Sequence, residues 1–201
     1  LVLDLDGTLL LSKERCARLF CELAGLNYGD YLPSYLEKKS VGLSNLEILQ
    51  SEGLGDRLDP GHFTQRWMQE IEQPEYLEFD KLVPGLLTWL AAMANNHRMV
   101  LCTHRQSEQN LAIQLNQLGL APYFSDVIVT GQVMSKAEGL SQAKILLDEN
   151  DWIIGDSPDD IRTGKELGIR TVAVLTGFLG QNTLQKYGPD LILSALTKFD
   201  R

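Results

Sequence analysis

The stretch that decides the fold lies at the start of the chain and reads Val2-Leu3-Asp4-Leu5-Asp6-Gly7-Thr8-Leu9. An apolar run typical of a buried strand stops here at two carboxylates, each of which would lose its hydration if it were buried in the charged form. Because side chains alternate along a strand, Asp4 and Asp6 lie on the same side, with Cα atoms about 6–7 Å apart. That gap suits one small atom, such as phosphorus, which one acid attacks while the other acid protonates the group that leaves on the opposite side. An isolated motif of this kind is more typical of a strand followed by an acidic turn, so the rest of the chain must decide.

The composition indicates a globular protein with one domain and a modest insertion. The chain has 201 residues, of which 44% are hydrophobic, enough for an ordinary core. No apolar stretch reaches the roughly 18 residues of a membrane span and no signal peptide is recognised, so we expect no membrane partner. The net charge of −9 argues against a nucleic-acid partner. Because the chain starts without Met inside an apparent strand, we expect further residues to precede Leu1.

The cysteines favour a reducing compartment. Cys16, Cys21 and Cys102 are odd in number and lack the spacing of metal ligands. Cys102 stands in an apolar run and is expected to be a small core residue. Reduced thiols in a cytoplasmic protein are the simplest interpretation.

The chain between residue 12 and about residue 80 has a helical pattern without a convincing strand. Ser12 is placed to cap a first helix, and Ser44 with Glu47 forms a capping box for another. A third apolar face ends before Pro74 and consists of Phe63, Trp67 and Ile71. We therefore predict a helical module of about 65 residues directly after the acidic strand.

From residue 81 onward, short apolar runs alternate with helical patterns. Strands are predicted at 99–102, 127–129, 152–154, 171–175 and 191–193, and helices after Pro84-Gly85 and at 107–118, 135–147 and 158–167. Short, wholly apolar strands separated by helices indicate a parallel sheet that is covered on both faces. The predicted fold class is α/β. A doubly wound, Rossmann-like core is formed by residues 1–11 and 80–201, and a helical domain of residues 12–79 is inserted into it.

Polar residues occur at or after the carboxyl ends of the predicted strands. They are Asp4, Asp6, Thr103, Lys136 and Asp156. In doubly wound sheets, ligands bind beyond the carboxyl ends of the strands. We therefore expect these side chains, although distant in sequence, to face one common hollow.

Lys136 has two interpretations. Ser135 and Glu138 form a capping box, which places Lys136 in the first turn of a helix. A cation there opposes the helix dipole, so a solvated surface lysine that tolerates this cost is the simpler alternative. Beside a phosphate, however, the ammonium and the helix N-terminus would attract the same anion.

The acids that follow the 152–154 strand are only partly explained by helix capping. Local helix chemistry accounts for most of the residues that open the next helix, Ser157, Pro158, Asp159 and Asp160. It does not account for Asp156, which ends the strand and should face Asp4 across the sheet edge. Crowded carboxylates need a cation, and an all-oxygen set favours Mg²⁺.

These motifs together resemble those of the haloacid dehalogenase (HAD) superfamily. The resemblance rests on the acidic stretch 4–9, Thr103, Lys136 and the Gly-Asp-x-x-x-Asp pattern at 155–160, whose order and spacing match over the whole chain. The helical insertion resembles the superfamily's α-helical (C1) cap. Residues 41–44 before Glu47 are similar to the cap segment of the phosphoglycolate-phosphatase-like and β-phosphoglucomutase-like branch. Pro84-Gly85 and residues 168–172 also suit that branch.

The resemblance implies a mechanism centred on the two acids of the first motif. Asp4 would be the nucleophile and would form an aspartyl-phosphate. Mg²⁺ would be held by Asp4, the backbone carbonyl of Asp6 and Asp156. Asp6 would protonate the leaving alcohol and later take a proton from water, so its pKa must be raised for it to start protonated.

The resemblance also assigns the residues around the phosphoryl group. Thr103 and Lys136 would bind its oxygens, aided by the backbone N–H groups of Leu5 and His104. Asp160 would orient Lys136 or a metal-bound water. A similar supporting role for Asp159 competes with a plain role as a helix N-terminal acid.

Three basic residues stand apart from the family pattern. Arg105 could reach a second anionic group on the substrate, but an exposed arginine is the expected case. The pair Lys38 and Lys39 could likewise meet an anion, but is expected to face solvent.

The expected function is that of a Mg²⁺-dependent phosphatase acting on a small phosphorylated metabolite. A β-phosphoglucomutase-like phosphomutase would use the same chemistry and remains an alternative. Dehalogenases share the first aspartate but not the second, so Asp6 argues against them. An alternative of another class is a catalytically silent phosphate-binding regulatory module. Receiver domains have similar residues but are shorter and lack the helical insertion.

Overall fold

A computed structural model describes residues 1–55 and 57–200. The strands are β1 (Val2–Leu3), β2 (Leu10–Leu11), β3 (Lys81–Leu82), β4 (Val100–Thr103), β5 (Asp126–Val129), β6 (Trp152–Gly155), β7 (Arg170–Val174) and β8 (Leu191–Leu193). The helices are α1 (Lys13–Ala24), α2 (Tyr28–Ser40), α3 (Asn45–Ser51), α4 (Pro60–Glu70), α5 (Pro74–Leu77), α6 (Leu86–Met93), α7 (Glu108–Gln117), α8 (Lys136–Gln142), α9 (Pro158–Leu167) and α10 (Gln181–Gln185).

A parallel sheet with β1 near its centre forms the main body of the fold. Its strand order is β5-β4-β1-β6-β7-β8, and Leu3 of β1 pairs with Leu101 of β4 and Ile154 of β6. Because successive side chains point to opposite faces, Leu3 packs into one apolar cluster and Val2 into another. Both faces are therefore buried, as the wholly apolar strands predicted, and the α/β doubly wound fold class is confirmed.

The helices between β2 and β3 have an apolar cluster of their own. Phe20 of α1 lies with its ring centroid 4.8 Å from that of Tyr35 of α2 and 5.8 Å from that of Phe63 of α4. The predicted capping box is present at α3, where the Ser44 hydroxyl accepts a hydrogen bond from Glu47 N and the Glu47 carboxylate accepts one from Ser44 N. We call residues 12–79 the helical segment below.

Several local features differ from the sequence-based predictions. The first strand ends at Leu3, before the acids, because the chain turns there and the Leu5 carbonyl accepts hydrogen bonds from the N–H groups of Leu9 and Leu10. The helix predicted to reach residue 147 ends at Gln142, and Lys144 has a positive φ of 55°. The helix α10 and the antiparallel pair β2–β3 were not predicted: β2 and β3 have two residues each, and the five residues of α10 span little more than one helical turn.

Ser12 precedes α1 as predicted, but its side chain accepts no capping hydrogen bond. Within the described parts of the chain, no helix combines the length and the apolar character that crossing a membrane requires.

Candidate active site

Side chains from distant parts of the chain meet at the carboxyl edge of the sheet. Asp4 follows β1, Thr103 ends β4, Asp156 follows β6, and Lys136 opens α8. These residues line one cavity of about 270 Å³, together with Asp6. The structure thus brings together the residues that the sequence placed at strand ends.

Lys136 is buried at the centre of the site, so the surface-lysine alternative is wrong. Only 2% of its side chain is exposed, and its ammonium lies 2.7 Å from Asp4 Oδ1 and 2.5 Å from Asp160 Oδ1. Burial alone would lower the pKa of Lys136, but the charges of Asp160 and Asp4 outweigh it and raise that pKa. The ammonium therefore stays charged between the two carboxylates.

Asp4 is held on both of its carboxylate oxygens. Lys136 donates to Oδ1, and the Thr8 hydroxyl donates to Oδ2 at 3.1 Å. Burial raises the pKa of Asp4 to about 6; Lys136 opposes this shift and Asp160 adds to it. Asp4 is consequently mostly ionised at pH 7, with an oxygen facing the cavity.

Asp156 completes a cluster of carboxylates with Asp4 and Asp160. Oxygens of the three groups lie within 4.8 Å of one another. Burial and the charges of Asp4 and Asp160 raise the pKa of Asp156 well above its ordinary value. Such crowding of like charges is relieved by a divalent cation, and oxygen ligands are those that Mg²⁺ prefers. The donor set thus fits Mg²⁺.

Glycines make the space that the Asp156 side chain occupies. A Cβ on Gly177 would lie 1.6 Å from Asp156 Oδ2, and one on Gly7 would lie 2.4 Å from it. Gly7 also has a φ of 81°, which only glycine adopts without strain. On the other side, a Cβ on Gly155 would overlap the carboxylate of Asp160.

The Asp160 side chain supports the site through hydrogen bonds and does not itself face the cavity. Besides its bond to Lys136, its carboxylate accepts hydrogen bonds from the Ser157 N–H at 3.1 Å and the Ser157 hydroxyl at 2.6 Å. The predicted capping role and the predicted contact with Lys136 are therefore present in the same side chain. Asp4 and Asp156 are left as the carboxylates with room for a metal.

Asp6 is paired with two arginines. Arg105 Nε lies 2.5 Å from Asp6 Oδ2, Arg105 Nη2 lies 2.8 Å from Oδ1, and Arg15 Nη2 also contacts Oδ1. Burial alone would raise the pKa of Asp6, but the charges of Arg105 and Arg15 outweigh it and hold that pKa below its usual range. The protonated Asp6 that the family mechanism requires in its first step is not the form that this arrangement favours.

Arg105 was expected to be exposed, and this expectation is wrong. The residue is 4% exposed and also bonds to Asp80 Oδ2 at 3.2 Å. Sequence reasoning missed Arg15, Asp80 and Gln114 as members of this buried network, in which Gln114 donates to Asp80 Oδ2 at 2.9 Å. Their positions along the chain show no shared motif, so no sequence signal pointed to them.

His104 links two of the site's loops through its side chain. Its Nδ1 lies 2.6 Å from Thr130 Oγ1 and its Nε2 lies 2.8 Å from Asp159 Oδ2. The hydrogen bond with His104 lowers the pKa of Asp159. Asp159 therefore pairs with the residue after Thr103, a contact that its position at the start of α9 did not suggest.

The comparisons with known proteins agree with this geometry. Residues 1–174 match the family model described as haloacid dehalogenase-like hydrolase. A phosphoglycolate phosphatase from Aquifex aeolicus is 28% identical, in a match that covers 96% of this chain and 91% of the relative. A phosphoglycolate phosphatase from Synechococcus elongatus is 29% identical over 56% of this chain, and the match spans only 55% of that relative.

A solved structure shows the same fold. A protein from Clostridium difficile, named as a phosphatase, superposes with a TM-score of 0.75 at 17% identity and covers 97% of this chain and 93% of its own. At that sequence identity, the structural similarity shows only that the two proteins share a fold. The family match, which extends over most of the chain, carries the assignment: this chain belongs to the haloacid dehalogenase-like hydrolase family.

Proposed function

We propose that the protein is a Mg²⁺-dependent phosphatase that hydrolyses a small phosphorylated metabolite through an aspartyl-phosphate on Asp4. The observation that carries the proposal is the position of the Asp4 carboxylate. It lines the cavity, 2.7 Å from the Lys136 ammonium and within 4.8 Å of carboxylate oxygens of Asp156 and Asp160. The relatives named as phosphoglycolate phosphatases make 2-phosphoglycolate the first substrate to test.

In the first step an oxygen of Asp4 forms a bond to phosphorus while the bond from phosphorus to the leaving oxygen breaks. Lys136 and the Thr103 hydroxyl are placed in the cavity to bind the phosphoryl oxygens and to stabilise the charge that develops on them. Asp4, Asp156 and the backbone carbonyl of Asp6 would hold Mg²⁺, which would supply the charge that offsets the repulsion between carboxylate and phosphate.

Asp6 acts as acid in the first step and as base in the second. Its ionised form, paired with Arg105 and Arg15, is ready to take a proton from the hydrolytic water that releases phosphate from Asp4. To protonate the leaving group first, Asp6 must gain a proton, so these ion pairs must loosen when substrate binds. The proton that Asp6 gives to the leaving oxygen is replaced by the one that it takes from water, so the two half-reactions together return Asp6 to its protonated form.

We propose further that the helical segment is a cap over the core formed by residues 1–11 and 80–201. Its separate apolar cluster supports this division, as does the antiparallel pair β2–β3 at the junction. Trp67 and Ile71 of the segment line the same cavity as Asp4, so this segment would enclose the substrate. The free thiols of Cys21 and Cys102 agree with the cytoplasmic location that we propose.

Phosphate release from p-nitrophenyl phosphate and from 2-phosphoglycolate, measured with Mg²⁺ and with a chelator, tests the proposal. We expect turnover only with Mg²⁺, and its loss in Asp4→Asn. Acid-quenched enzyme should retain phosphate on Asp4 after incubation with substrate.

The same assay separates the alternatives. A phosphomutase would convert β-glucose 1-phosphate to glucose 6-phosphate in the presence of a bisphosphate, without releasing stoichiometric phosphate. A silent module would release none from any ester. A rate in Asp4→Asn equal to that of the wild-type protein would remove Asp4 as nucleophile.

A further inference from the structure

The end of α2 is fixed against the core at the side of the cavity. The carbonyl of Ser40, the last residue of α2, accepts hydrogen bonds from Gly180 N at 3.1 Å and Thr183 Oγ1 at 3.3 Å. Both donors belong to the region that follows β7. The residue before Ser40 is Lys39, which is therefore held where the helical segment meets the core.

The Lys39 ammonium lies at the rim of the cavity. It is 5.4 Å from the centroid of the Phe178 ring, and Phe178 lines the cavity. The Phe178 ring also packs edge-on against Tyr35, with centroids 5.8 Å apart, which fixes the surface beneath Lys39. The charge of Lys39 also acts on the thiol of Cys16, another residue that lines the cavity.

This rim is expected on the leaving-group side of the site, because the phosphoryl group is expected at Asp4 and Lys136. Phe178, Cys16, Trp67 and Ile71 line the same cavity, and they come from the helical segment or pack against it. We call these four residues the cavity wall. A group attached to the phosphate through its ester oxygen would extend toward this wall.

Lys39 is a cation without a carboxylate partner. Among residues 1–55 and 57–200, no carboxylate oxygen lies within 4.0 Å of its ammonium, and its ammonium donates no hydrogen bond. Glu47 acts on it only from a longer distance, and the Glu47 carboxylate already accepts hydrogen bonds from Ser44. Burial lowers the pKa of Lys39, as expected for a cation that is half removed from water.

Other basic groups near the cavity are engaged by its carboxylates, and the charge of Asp156 acts on Lys13. Lys136 is bound by Asp4 and Asp160, and Arg105 by Asp6 and Asp80. The neighbouring Lys38 bonds instead to Glu52 and Ser51 of the helical segment. Lys39 therefore differs from all of these in having its charge available to a ligand.

We propose that Lys39 binds a second anionic group of the substrate, so that the enzyme prefers phosphate monoesters whose leaving group carries a carboxylate or a second phosphate. This inference rests on the phosphatase function proposed above. Because the ammonium gives up little water and no internal partner, binding an anion costs little free energy of desolvation. The bond that it forms is a charge-assisted hydrogen bond. Rotation about the four side-chain torsions lets the ammonium move from the Phe178 ring to an anion in the cavity.

Matched pairs of esters test the inference. The carboxylate pair is 2-phosphoglycolate with ethyl phosphate, and the phosphate pair is 1,3-propanediol bisphosphate with propyl phosphate. The measured quantity is the preference ratio, which is kcat/KM for the anionic ester divided by kcat/KM for the neutral one. It is determined for the wild-type protein, Lys39→Met, Lys39→Arg and the control Lys38→Met.

We expect Lys39→Met to lower the preference ratio of one or both pairs about 10- to 100-fold, chiefly through KM, as for the loss of a charge-assisted hydrogen bond. Lys39→Arg should restore part of it, and Lys38→Met should leave it within about twofold of wild type. The pair that responds identifies the anion. Calorimetric titration of Asp4→Asn, with and without Lys39→Met, should show the same loss in affinity for the responding anionic ester.

The two proposals fail in distinguishable ways. If the wild-type protein hydrolyses neither p-nitrophenyl phosphate nor any of the four matched esters, the phosphatase function is wrong and the inference falls with it. If it is hydrolysed in an Asp4-dependent manner but Lys39→Met leaves both preference ratios unchanged, the role of Lys39 is overturned and the phosphatase function stands. An unchanged unfolding midpoint in Lys39→Met excludes misfolding as the cause of a changed ratio.

Discussion

Arg105 and Asp6, which are separated by 99 positions in the chain, form a two-pronged ion pair at the edge of the sheet, with N–O distances of 2.5 and 2.8 Å. The second acid of the first motif is thus a structural anchor as well as a candidate catalytic group. Arg15 of the helical segment contacts the same carboxylate. Asp6 therefore ties that segment to the loop after β4 while it faces the substrate cavity.

This relationship predicts opposite effects on stability for the two acids of the motif. Asp6→Asn leaves Arg105 and Arg15 with Asp80 as their shared carboxylate, and breaking a buried ion pair by removing one partner costs about 3 kcal/mol or more. Asp4→Asn removes a carboxylate whose pKa is raised on folding and leaves Lys136 bonded to Asp160, so it should increase the free energy of unfolding of the metal-free protein at pH 7.

Urea denaturation of the metal-free variants measures these free energies. Both variants should lose phosphate release, so activity alone does not separate them and stability does. Equal free energies of unfolding for Asp6→Asn and the wild-type protein would show that the ion pairs contribute nothing to the fold.

The raised pKa values of Asp4 and Asp156 predict that the metal-free protein becomes less stable as the pH rises. A carboxyl whose pKa is raised on folding contributes stability that is complete below its ordinary pKa of 3.8 and is lost as the pH passes its folded value, which is about 6 for Asp4. Burial raises the pKa of Asp80 as well, so its contribution has the same sign.

The thermal unfolding midpoint should therefore fall between pH 5 and pH 8. Mg²⁺ binds the ionised carboxylates and should raise the midpoint more at pH 8 than at pH 5. Asp156→Asn should flatten the pH dependence and abolish the Mg²⁺ effect. A wild-type midpoint that rises from pH 5 to pH 8 without metal would contradict the crowding of these carboxylates.

The positions of Asp4, Thr103 and Asp156 could be predicted from the sequence because each ends or follows an apolar strand. In a parallel sheet, that placement alone brings carboxyl ends to one edge. The position of Lys136 could be predicted because a capping box places it at the start of the helix after β5. The burial of Lys136 could not be predicted, because a capping box shows where a helix begins but not which face of the helix is buried.

The network around Asp6 was beyond sequence reasoning for a different reason. Arg15 lies in a helical pattern that does not mark it as buried. Arg105 follows a strand at a position where a side chain could equally be exposed to solvent. Their pairing with Asp6 and Asp80 depends on how the helical segment closes on the core, which no local pattern records. The short strands β2 and β3, where the two parts join, are too brief to show alternation.

Gly177 is predicted to be essential because it makes room for Asp156. A Cβ at this position would lie 1.6 Å from Asp156 Oδ2, so Gly177→Ala must displace the carboxylate. We expect a fall in phosphate release of at least about 100-fold, together with weaker Mg²⁺ binding in a calorimetric titration, because a ligand displaced by even 1 Å no longer has productive geometry.

Gly180→Ala is a matched control from the same loop. Its Cβ would meet only Ser40 O at 3.8 Å, an ordinary contact, and the backbone N–H that bonds to Ser40 is retained. This variant should keep wild-type Mg²⁺ affinity. Equal Mg²⁺ affinities for the two variants would mean that Asp156 is not the carboxylate that holds the metal.

We predict that Lys136 is required for the reaction and that its charge also reduces the repulsion between the carboxylates of Asp4 and Asp160. Lys136→Met removes the donor placed to bind the phosphoryl oxygens, and loss of one such donor lowers kcat by about 100- to 1000-fold. It also removes the charge that opposes the rise in the pKa of Asp4. The metal-free variant should therefore lose stability more steeply than the wild-type protein between pH 5 and pH 8.

Phosphate release and urea denaturation at both pH values measure these effects. The control is Lys165→Met, since the Lys165 ammonium is exposed and bonds to the main-chain carbonyl of Tyr187 instead of to a carboxylate of the acid cluster. It should retain wild-type kcat and wild-type pH dependence. If Lys136→Met kept the wild-type kcat, the ammonium between Asp4 and Asp160 would be structural only, and the phosphoryl group would have to be bound by other donors.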